Sequence, residues 1–219
     1  MKLSISNIAW KSEDDFKVYK LMKKYEYKGL EIAPTRIFSE QPYKKLTEAK
    51  IWYEELNKKY GFTISSMQSI WFGRQENIFN SVDERKILEK YTKQAIDFAA
   101  TIGCKNLVFG CPKNRNLIEG SNEEIAVDFF KLLGNYAYEK GTTIGMEANP
   151  TIYNTNYIND TKSALELIKK VDSNFVSNYN FSDEHNVMTW YNSHCVRYNS
   201  VGAQNSKTLR YFYEYASNF

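Results

Sequence analysis

The fold is decided by the stretch Thr142-Thr143-Ile144-Gly145-Met146-Glu147-Ala148-Asn149-Pro150, a short apolar run that ends at a carboxylate and is then interrupted by proline. Such a run is typical of a strand buried in a parallel sheet, and the carboxyl end of such a strand is where α/β proteins place reactive groups. Pro150 cannot extend a hydrogen-bonded ladder. We therefore assign the chemistry to Glu147, with the alternative that it caps a loop or pairs with a nearby lysine.

Composition limits the class of protein. The chain has 219 residues, enough for one domain with a sizeable core, and 29 basic and 26 acidic residues give a net charge of +3. Without a long block of one sign, binding to nucleic acid or to a membrane through bulk charge is not expected. Cys104, Cys111 and Cys195 lack metal-ligand spacing and suit reduced thiols, and no leader or membrane segment is evident. We expect a cytoplasmic protein.

Strand and helix patterns alternate from the first residues onward. Five short apolar runs are expected as strands, at 2–10, 29–33, 62–71, 104–110 and 142–150. Amphipathic helices are expected after them, at 12–25, 45–60, 81–103, 121–141 and 160–171, the second stopped by Gly61. In the first helix, Phe16 is expected on the buried side.

Helix starts are marked by capping residues. Ser81-Val82-Asp83-Glu84 and Ser121-Asn122-Glu123-Glu124 both have the Ser-x-x-Glu pattern of a capping box. Ser12 is expected to cap the first helix, with the acidic residues behind it facing the positive end of the helix dipole, and Asp160 is expected to cap the fifth.

Five strand-helix units in succession predict a parallel sheet with right-handed crossovers. The units average roughly 34 residues, which suits a (β/α)8 TIM-barrel type of fold that is incomplete, with about five βα units. An open doubly wound sheet is the second choice, and the absence of a Gly-x-Gly-x-x-Gly motif after the first strand speaks against it.

The pattern changes after Asp172. Residues 173–219 are rich in Asn, Ser and Tyr, show neither a capping box nor a clear helical stripe, and contain both histidines, His185 and His194. Their length suffices for about one further strand and helix, whereas three units are needed to close a barrel. We therefore divide the chain into a barrel portion, 1–172, and a divergent, irregular C-terminal tail, 173–219, whose folding is left open.

Blocks at the predicted strand ends together resemble the sugar phosphate isomerase/epimerase family with the xylose isomerase-like TIM barrel. The resemblance covers about residues 1–172 and is carried by Leu3–Trp10 (LSISNIAW), Gly29–Arg36 (GLEIAPTR), Ser66–Trp71 (SMQSIW), Val108–Arg115 (VFGCPKNR) and Gly145–Pro150 (GMEANP).

This resemblance implies a sugar or hydroxy-carbonyl substrate and a divalent metal, Mg or Mn, held by a Glu, an Asp, a His and a second Glu from strands five to eight. Glu147 matches the first ligand and is also the implied proton acceptor. The other ligands match no residue. Asp183 and His185 would be a substitute pair, but an Asn-rich segment is more often solvated loop, and His194 is a weaker candidate.

Further candidates follow the other predicted strand ends. Arg115 is placed to clamp a phosphate or carboxylate of the substrate, or else is a surface arginine paired with an acid. Glu31 orients substrate or, as we favour, holds Arg36. Polar and aromatic residues expected to line a sugar pocket are Gln68, Trp10, Trp71 and Asn149, with core packing an equal explanation for the two tryptophans. Lys113 and Asn114 are expected to be solvated.

Three hypotheses follow. The first is a metal-assisted sugar or sugar-phosphate isomerase or epimerase. The second is a truncated, catalytically silent relative whose tail arose from a reading-frame change or divergence. The third is a half-barrel that pairs with a partner or a second copy through an open sheet edge, since unpaired edges and apolar helix faces favour association.

We predict that the tail contributes no metal ligand. Titrations of the chain with Mn²⁺ should therefore give the same isotherm for the parent protein and for the Asp183→Asn and His185→Asn variants. Weaker Mn²⁺ binding in either variant would contradict this prediction.

Overall fold

The computed structural model describes residues 3–171 and three further strand segments, 176–178, 186–191 and 194–199. The strands are Ser4–Ser6 (β1), Gly29–Ile32 (β2), Thr63–Met67 (β3), Asn106–Phe109 (β4), Thr143–Met146 (β5), Val176–Asn178 (β6), Asn186–Tyr191 (β7) and His194–Asn199 (β8). The α-helices are Asp15–Lys24 (α1), Pro34–Ile37 (α2), Leu46–Tyr60 (α3), Val82–Thr101 (α4), Glu124–Glu139 (α5) and Thr161–Val171 (α6). Short 3-10 turns occupy Asn7–Ala9, Ser12–Asp14, Pro42–Lys44, Pro112–Arg115 and Thr151–Tyr153.

The strands form one sheet in the order β6-β5-β4-β3-β2-β1-β8-β7. Strands β1 to β6 are parallel to one another, so the predicted α/β architecture with successive βα units is confirmed. Each of the five expected strands is present, and each is shorter than expected.

The segment beyond residue 172 adds three strands where one was expected. Strand β6 lies parallel to β5, with Val176 beside Ile144 and Asn178 beside Met146. Strands β7 and β8 form an antiparallel hairpin whose β8 lies against β1, pairing Ile5 with Val196. A hairpin needs no crossover helix, which is why three strands fit in a segment too short for three βα units.

One face of the sheet carries the apolar core beneath the helices. Leu107 and Phe109 of β4 and Ile144 and Met146 of β5 are completely buried. The Phe109 ring meets that of Phe130 on α5 edge-to-face at 4.7 Å. The residues between them, Val108 and Gly145, are also apolar and buried, as is typical of parallel strands that are covered on both faces.

A β-bulge aligns the polar side of β2 and β3. The register shifts between Leu30, which lies beside Ile64, and Glu31, which lies beside Ser66, so Ser65 is the extra residue on β3. The bulge brings the Ser66 hydroxyl under the Glu31 carboxylate, and Ser66 Oγ donates to Glu31 Oε2 at 2.5 Å.

Two details of α1 and α5 differ from expectation. The chain at Ser12 forms a 3-10 turn without a side-chain cap, α1 begins at Asp15, and Phe16 is therefore exposed while Val18 is buried. Helix α5 begins at Glu124 without a side-chain cap, and Ser121 Oγ instead accepts from the N–H of Ile118 at 3.2 Å.

Other helix ends match the sequence pattern. The Ser81 hydroxyl accepts from the Glu84 N–H at 3.1 Å, and Asp160 Oδ1 accepts from the Ser163 N–H at 2.7 Å. Gly61 ends α3 in the left-handed conformation, φ 76°, which costs glycine little because it has no Cβ. Within the described residues, no helix is both long and apolar enough to cross a membrane.

The two Ser-x-x-Glu motifs should differ in their contribution to stability. Ser81→Ala removes a cap from α4 and should lower the free energy of unfolding by about 1 kcal/mol. Ser121→Ala, the matched control, removes only a hydrogen bond within a loop and should change it by less than about 0.5 kcal/mol. Urea denaturation followed by circular dichroism measures both, and equal losses would contradict the assignment.

Candidate functional site at the carboxyl ends of the strands

The carboxyl ends of β1 to β5 lie at one edge of the sheet because these strands are parallel. Five of the predicted site residues follow those ends, and Glu31 lies within β2 next to its last residue; the five are Trp10, Gln68, Arg115, Glu147 and Asn149. Hydrogen bonds join Arg115, Asn149 and Glu147 into one group, while Trp10, Glu31 and Gln68 each bond to other partners.

The backbone N–H and the backbone carbonyl of Glu147 both form hydrogen bonds, and the residue is half-buried. Its N–H donates to the Phe109 carbonyl at 3.1 Å, which continues the β4–β5 pairing by one residue. The side-chain Oε2 accepts from Asn149 Nδ2 at 3.4 Å. The same oxygen lies against the α-carbon of Gly110, where a Cβ would collide with it, so a larger residue at this position would displace the carboxylate.

Arg115 has no exposed surface and directs its guanidinium at protein oxygen atoms. Nε donates to Gly110 O at 2.7 Å, and Nη2 donates to Glu147 O at 3.0 Å and to Asn149 Oδ1 at 2.6 Å. Nη1 donates to Tyr157 O at 2.7 Å and to Ile158 O at 3.5 Å. These bonds engage all five N–H donors, which favours a structural role over the substrate clamp or surface ion pair expected from the sequence.

Burial also shifts pKa values at this site. Burial lowers the pKa of Arg115 to about 10, and Cys111 and Glu147 oppose that shift. Burial also raises the pKa of the Cys111 thiol to about 12, with Glu147 adding to the rise and Arg115 opposing it. At neutral pH the guanidinium is therefore charged and the thiol is protonated. Cys111 itself adopts a left-handed backbone, φ 42°, at the end of β4.

Gln68 lies beside β1. Its Nε2 donates to Ser6 Oγ at 2.8 Å, and Ser69 Oγ donates to its Oε1 at 3.0 Å. Ser6, like Glu31, is almost fully buried. Hydrogen bonds thus connect polar side chains of neighbouring strands in this part of the sheet, Gln68 with Ser6 and Ser66 with Glu31. Gln68 is the most exposed of these four side chains.

Trp10 is held by an ion pair that the sequence did not predict. Arg36 Nη2 lies 2.6 Å from Asp15 Oδ1, so the partner of Arg36 is Asp15, where Glu31 was expected. Trp10 Nε1 donates to the same Asp15 oxygen at 2.7 Å, and the guanidinium lies 5.5 Å from the ring centroid. Trp71, in contrast, is buried and donates from Nε1 to Thr92 Oγ1 at 2.8 Å, which confirms core packing for this tryptophan.

Asn114 was expected to be solvated, and that expectation is wrong. It is buried, and its Nδ2 donates to the carbonyls of Arg74 at 3.1 Å and Glu76 at 2.7 Å. It thereby ties the loop after β3 to the loop after β4. The signal for this role was the proline-started turn that begins at Pro112, since Asn commonly uses its side chain to stabilise turns.

Metal ligands are sparse in the part of the chain that is described. No group of three or more His, Cys, Asp or Glu side chains there converges in a way that would hold a metal ion. Around Glu147, the Asn149 Oδ1 atom and the Glu147 carbonyl already accept from Arg115. These residues alone do not fit a divalent ion. Asp183 and His185, and the side chain of His194, lie outside the described residues.

Parallel strands, a polar rim at their carboxyl ends and a carboxylate at the end of β5 define a TIM-barrel-type α/β protein. A sequence profile of the xylose isomerase-like TIM barrel matches residues 19–194, and the chain belongs to that family. No protein of curated function matches in sequence.

Solved structures with the same fold include three of different activity. D-psicose 3-epimerase is 13% identical with a TM-score of 0.63, and the match covers 80% of this chain and 62% of the epimerase. 3-Keto-D-glucoside 4-epimerase from E. coli is 18% identical with a TM-score of 0.60, and the match covers 84% of this chain and 72% of that enzyme. An AP endonuclease of family 2 from Brucella melitensis is 18% identical with a TM-score of 0.56, and the match covers 80% of this chain and 67% of the endonuclease. These likenesses show the fold, and the chain spans less than two thirds of D-psicose 3-epimerase.

The two described thiols should be unreactive in the native protein. Burial raises the pKa of Cys104 and of Cys111 from 9.0 to about 12, so the thiolate fraction at pH 8 falls by roughly 10³. In a Cys195→Ser background, Ellman's reagent should label both thiols at least about 100-fold more slowly than free cysteine.

Unfolding in guanidinium chloride is the control for this labelling, because it should release two equivalents at once. Rapid labelling of the native protein at pH 8 would contradict the raised pKa of these thiols.

Proposed function

We propose that this chain is a sugar or sugar-phosphate isomerase or epimerase that transfers a proton at the carbon next to a carbonyl, with Glu147 as the base. The observation that carries the proposal is the position of Glu147 at the carboxyl end of β5, half-buried and fixed by one backbone hydrogen bond to β4. Family membership and the sugar epimerases among the structural neighbours support it.

The first step of the proposed reaction needs one carboxylate in the right place. Glu147 removes the proton from the carbon beside the carbonyl, and the electron pair forms an enediolate. The protonated carboxyl group returns that proton to the neighbouring carbon to give the isomer, whereas the epimer requires a proton from solvent delivered to the same carbon from the opposite face. Asn149 Nδ2 donates to Glu147 Oε2 and so fixes which oxygen faces the substrate. Because Arg115 and Asn149 are buried, their interactions act at a lower effective dielectric constant than in water and are stronger for it.

A divalent metal, Mg or Mn, is usual in this family. A bound ion would polarise the carbonyl and the neighbouring hydroxyl of the substrate. Glu147 is the one ligand that we assign to it, because the described residues provide no second carboxylate or imidazole in a ligand group with Glu147.

Substrate contacts are proposed for the loops that surround Glu147. Trp10, pinned by Asp15, offers a ring against which the apolar face of a sugar packs, and Gln68 offers an amide to its hydroxyls. Glu31 and Asn149 lie deeper and are proposed to line the floor of the pocket. We propose the cytoplasm as the compartment, in keeping with protonated thiols at Cys104 and Cys111.

Solvent deuterium exchange tests the reaction. The chain incubated in D₂O with D-fructose or D-psicose should incorporate deuterium at the carbon next to the carbonyl, as detected by proton NMR. Glu147→Gln keeps the shape of the side chain and removes the base, so it should lower the exchange rate by about 10² or more.

The matched control is Glu139→Gln, which alters an exposed carboxylate in the last turn of α5 and should leave exchange unchanged. Equal exchange in the parent protein and in Glu147→Gln would sink the assignment of the base. Exchange that requires added Mn²⁺ would support metal assistance.

A catalytically silent chain, or a half-barrel that functions with a partner chain, is the second candidate. Two observations favour it: the described residues hold one carboxylate of the four-ligand set, and β6 and β7 form the two edges of the described sheet. Self-association through such an edge would appear as a concentration-dependent mass in analytical ultracentrifugation, and absence of exchange with every sugar tested would favour this candidate over the first.

A further inference from the structure

The buried guanidinium of Arg115 joins three segments of the chain. It binds the carbonyl of Gly110 at the end of β4, the carbonyl of Glu147 at the end of β5, and the carbonyl of Tyr157 in the loop that leads to α6. A lysine ammonium is a compact charge with three donors, whereas the planar fork of arginine reaches acceptors on several sides at once. The position therefore calls for arginine.

From the guanidinium, a chain of bonds leads to the Glu147 carboxylate. Arg115 Nη2 donates to Asn149 Oδ1 at 2.6 Å, which forces the amide nitrogen of Asn149 to the opposite side. That nitrogen is the donor to Glu147 Oε2. The Asn149 N–H is fixed as well, because it donates to the Ile158 carbonyl at 3.0 Å. The amide has one orientation that satisfies all these bonds.

Backbone strain marks the same loop. Ile158 has φ 58°, a left-handed conformation that is unfavourable for a β-branched residue. Its carbonyl accepts from Asn149 N and lies 3.5 Å from Arg115 Nη1. Strained conformations of this kind persist where surrounding contacts determine them, and they cluster at functional sites. Arg115 and Asn149 are the contacts that hold this one.

We propose that Arg115 is a positioning residue that sets the Glu147 carboxylate through the Asn149 amide, and that it does not touch the substrate. This inference rests on the proposed function, in which Glu147 is the base. Arg115 acts on Glu147 in two ways: it binds the Glu147 carbonyl directly, and through Asn149 it fixes the carboxylate oxygen Oε2. Gly110, which has no Cβ, leaves room for the carboxylate.

The test compares Arg115→Lys, Asn149→Asp and the control Arg74→Lys by kcat and KM for deuterium exchange. Arg74 pairs with Glu76 in the loop after β3. A displaced base lowers kcat, and displacement by about 1 Å is worth up to ~10²-fold. Arg115→Lys and Asn149→Asp should thus lower kcat at least about 10-fold with KM within about 3-fold, and Arg74→Lys should change neither.

Asn149→Asp keeps the oxygen that Arg115 holds and loses the donor to Glu147, so it decides the matter if Arg115→Lys does not fold. A raised KM with unchanged kcat in Arg115→Lys would make Arg115 a substrate clamp and overturn the proposal. Unchanged kcat and KM in a folded Asn149→Asp would overturn it too.

A second readout separates this inference from the proposed function. The carboxyl ¹³C resonance of Glu147, identified by its loss in Glu147→Gln, requires no turnover. It should move in Arg115→Lys and Asn149→Asp and stay in place in Arg74→Lys, even if the parent chain exchanges no deuterium. A resonance that is unchanged in the first two variants would overturn the positioning role by itself.

Discussion

The buried positive charge of Arg115 is the constraint on which the site depends. Removing a guanidinium from water costs several kcal/mol unless oxygen atoms replace the solvent, so the chain has to bring carbonyls to it from separate loops. The ends of β4 and β5 and the loop before α6 meet for this reason. Loss of the guanidinium would remove the donor to the carbonyls of Gly110 and Glu147, and a buried polar group that loses its partner is costly.

The repeating part of the fold was predictable because it depends on local patterns. Apolar runs of strand length, glycine after helices, and a serine or aspartate before them placed five strands and their helices within a few residues. Gly61, Ser81 and Asp160 have their expected roles because each acts on backbone groups within four residues of itself. Ser121 shows the limit of such reasoning, since its helix starts three residues later and leaves the motif without a cap to form.

Long-range partners were not predictable. Glu31 was expected to hold Arg36, but a one-residue bulge in β3 brings Ser66 to Glu31, and the turn after β1 brings Asp15 to Arg36. Likewise, a sequence shows that Arg115 follows a strand end and does not show that five acceptors surround it. Glu147 was identified because a carboxylate at a strand end before proline is informative by itself, whereas the role of Asn149 depends on which way its amide is turned.

The hairpin of β7 and β8 has a consequence for the closure of the barrel. Each edge of a strand can form one ladder of hydrogen bonds. The edge of β1 that faces away from β2 already pairs with β8 in the antiparallel sense. A parallel strand arriving to close the barrel would need the same N–H and C=O groups of Ser4 and Ile5. Strand β1 can therefore pair either with the hairpin or with a strand that closes the barrel, but not with both.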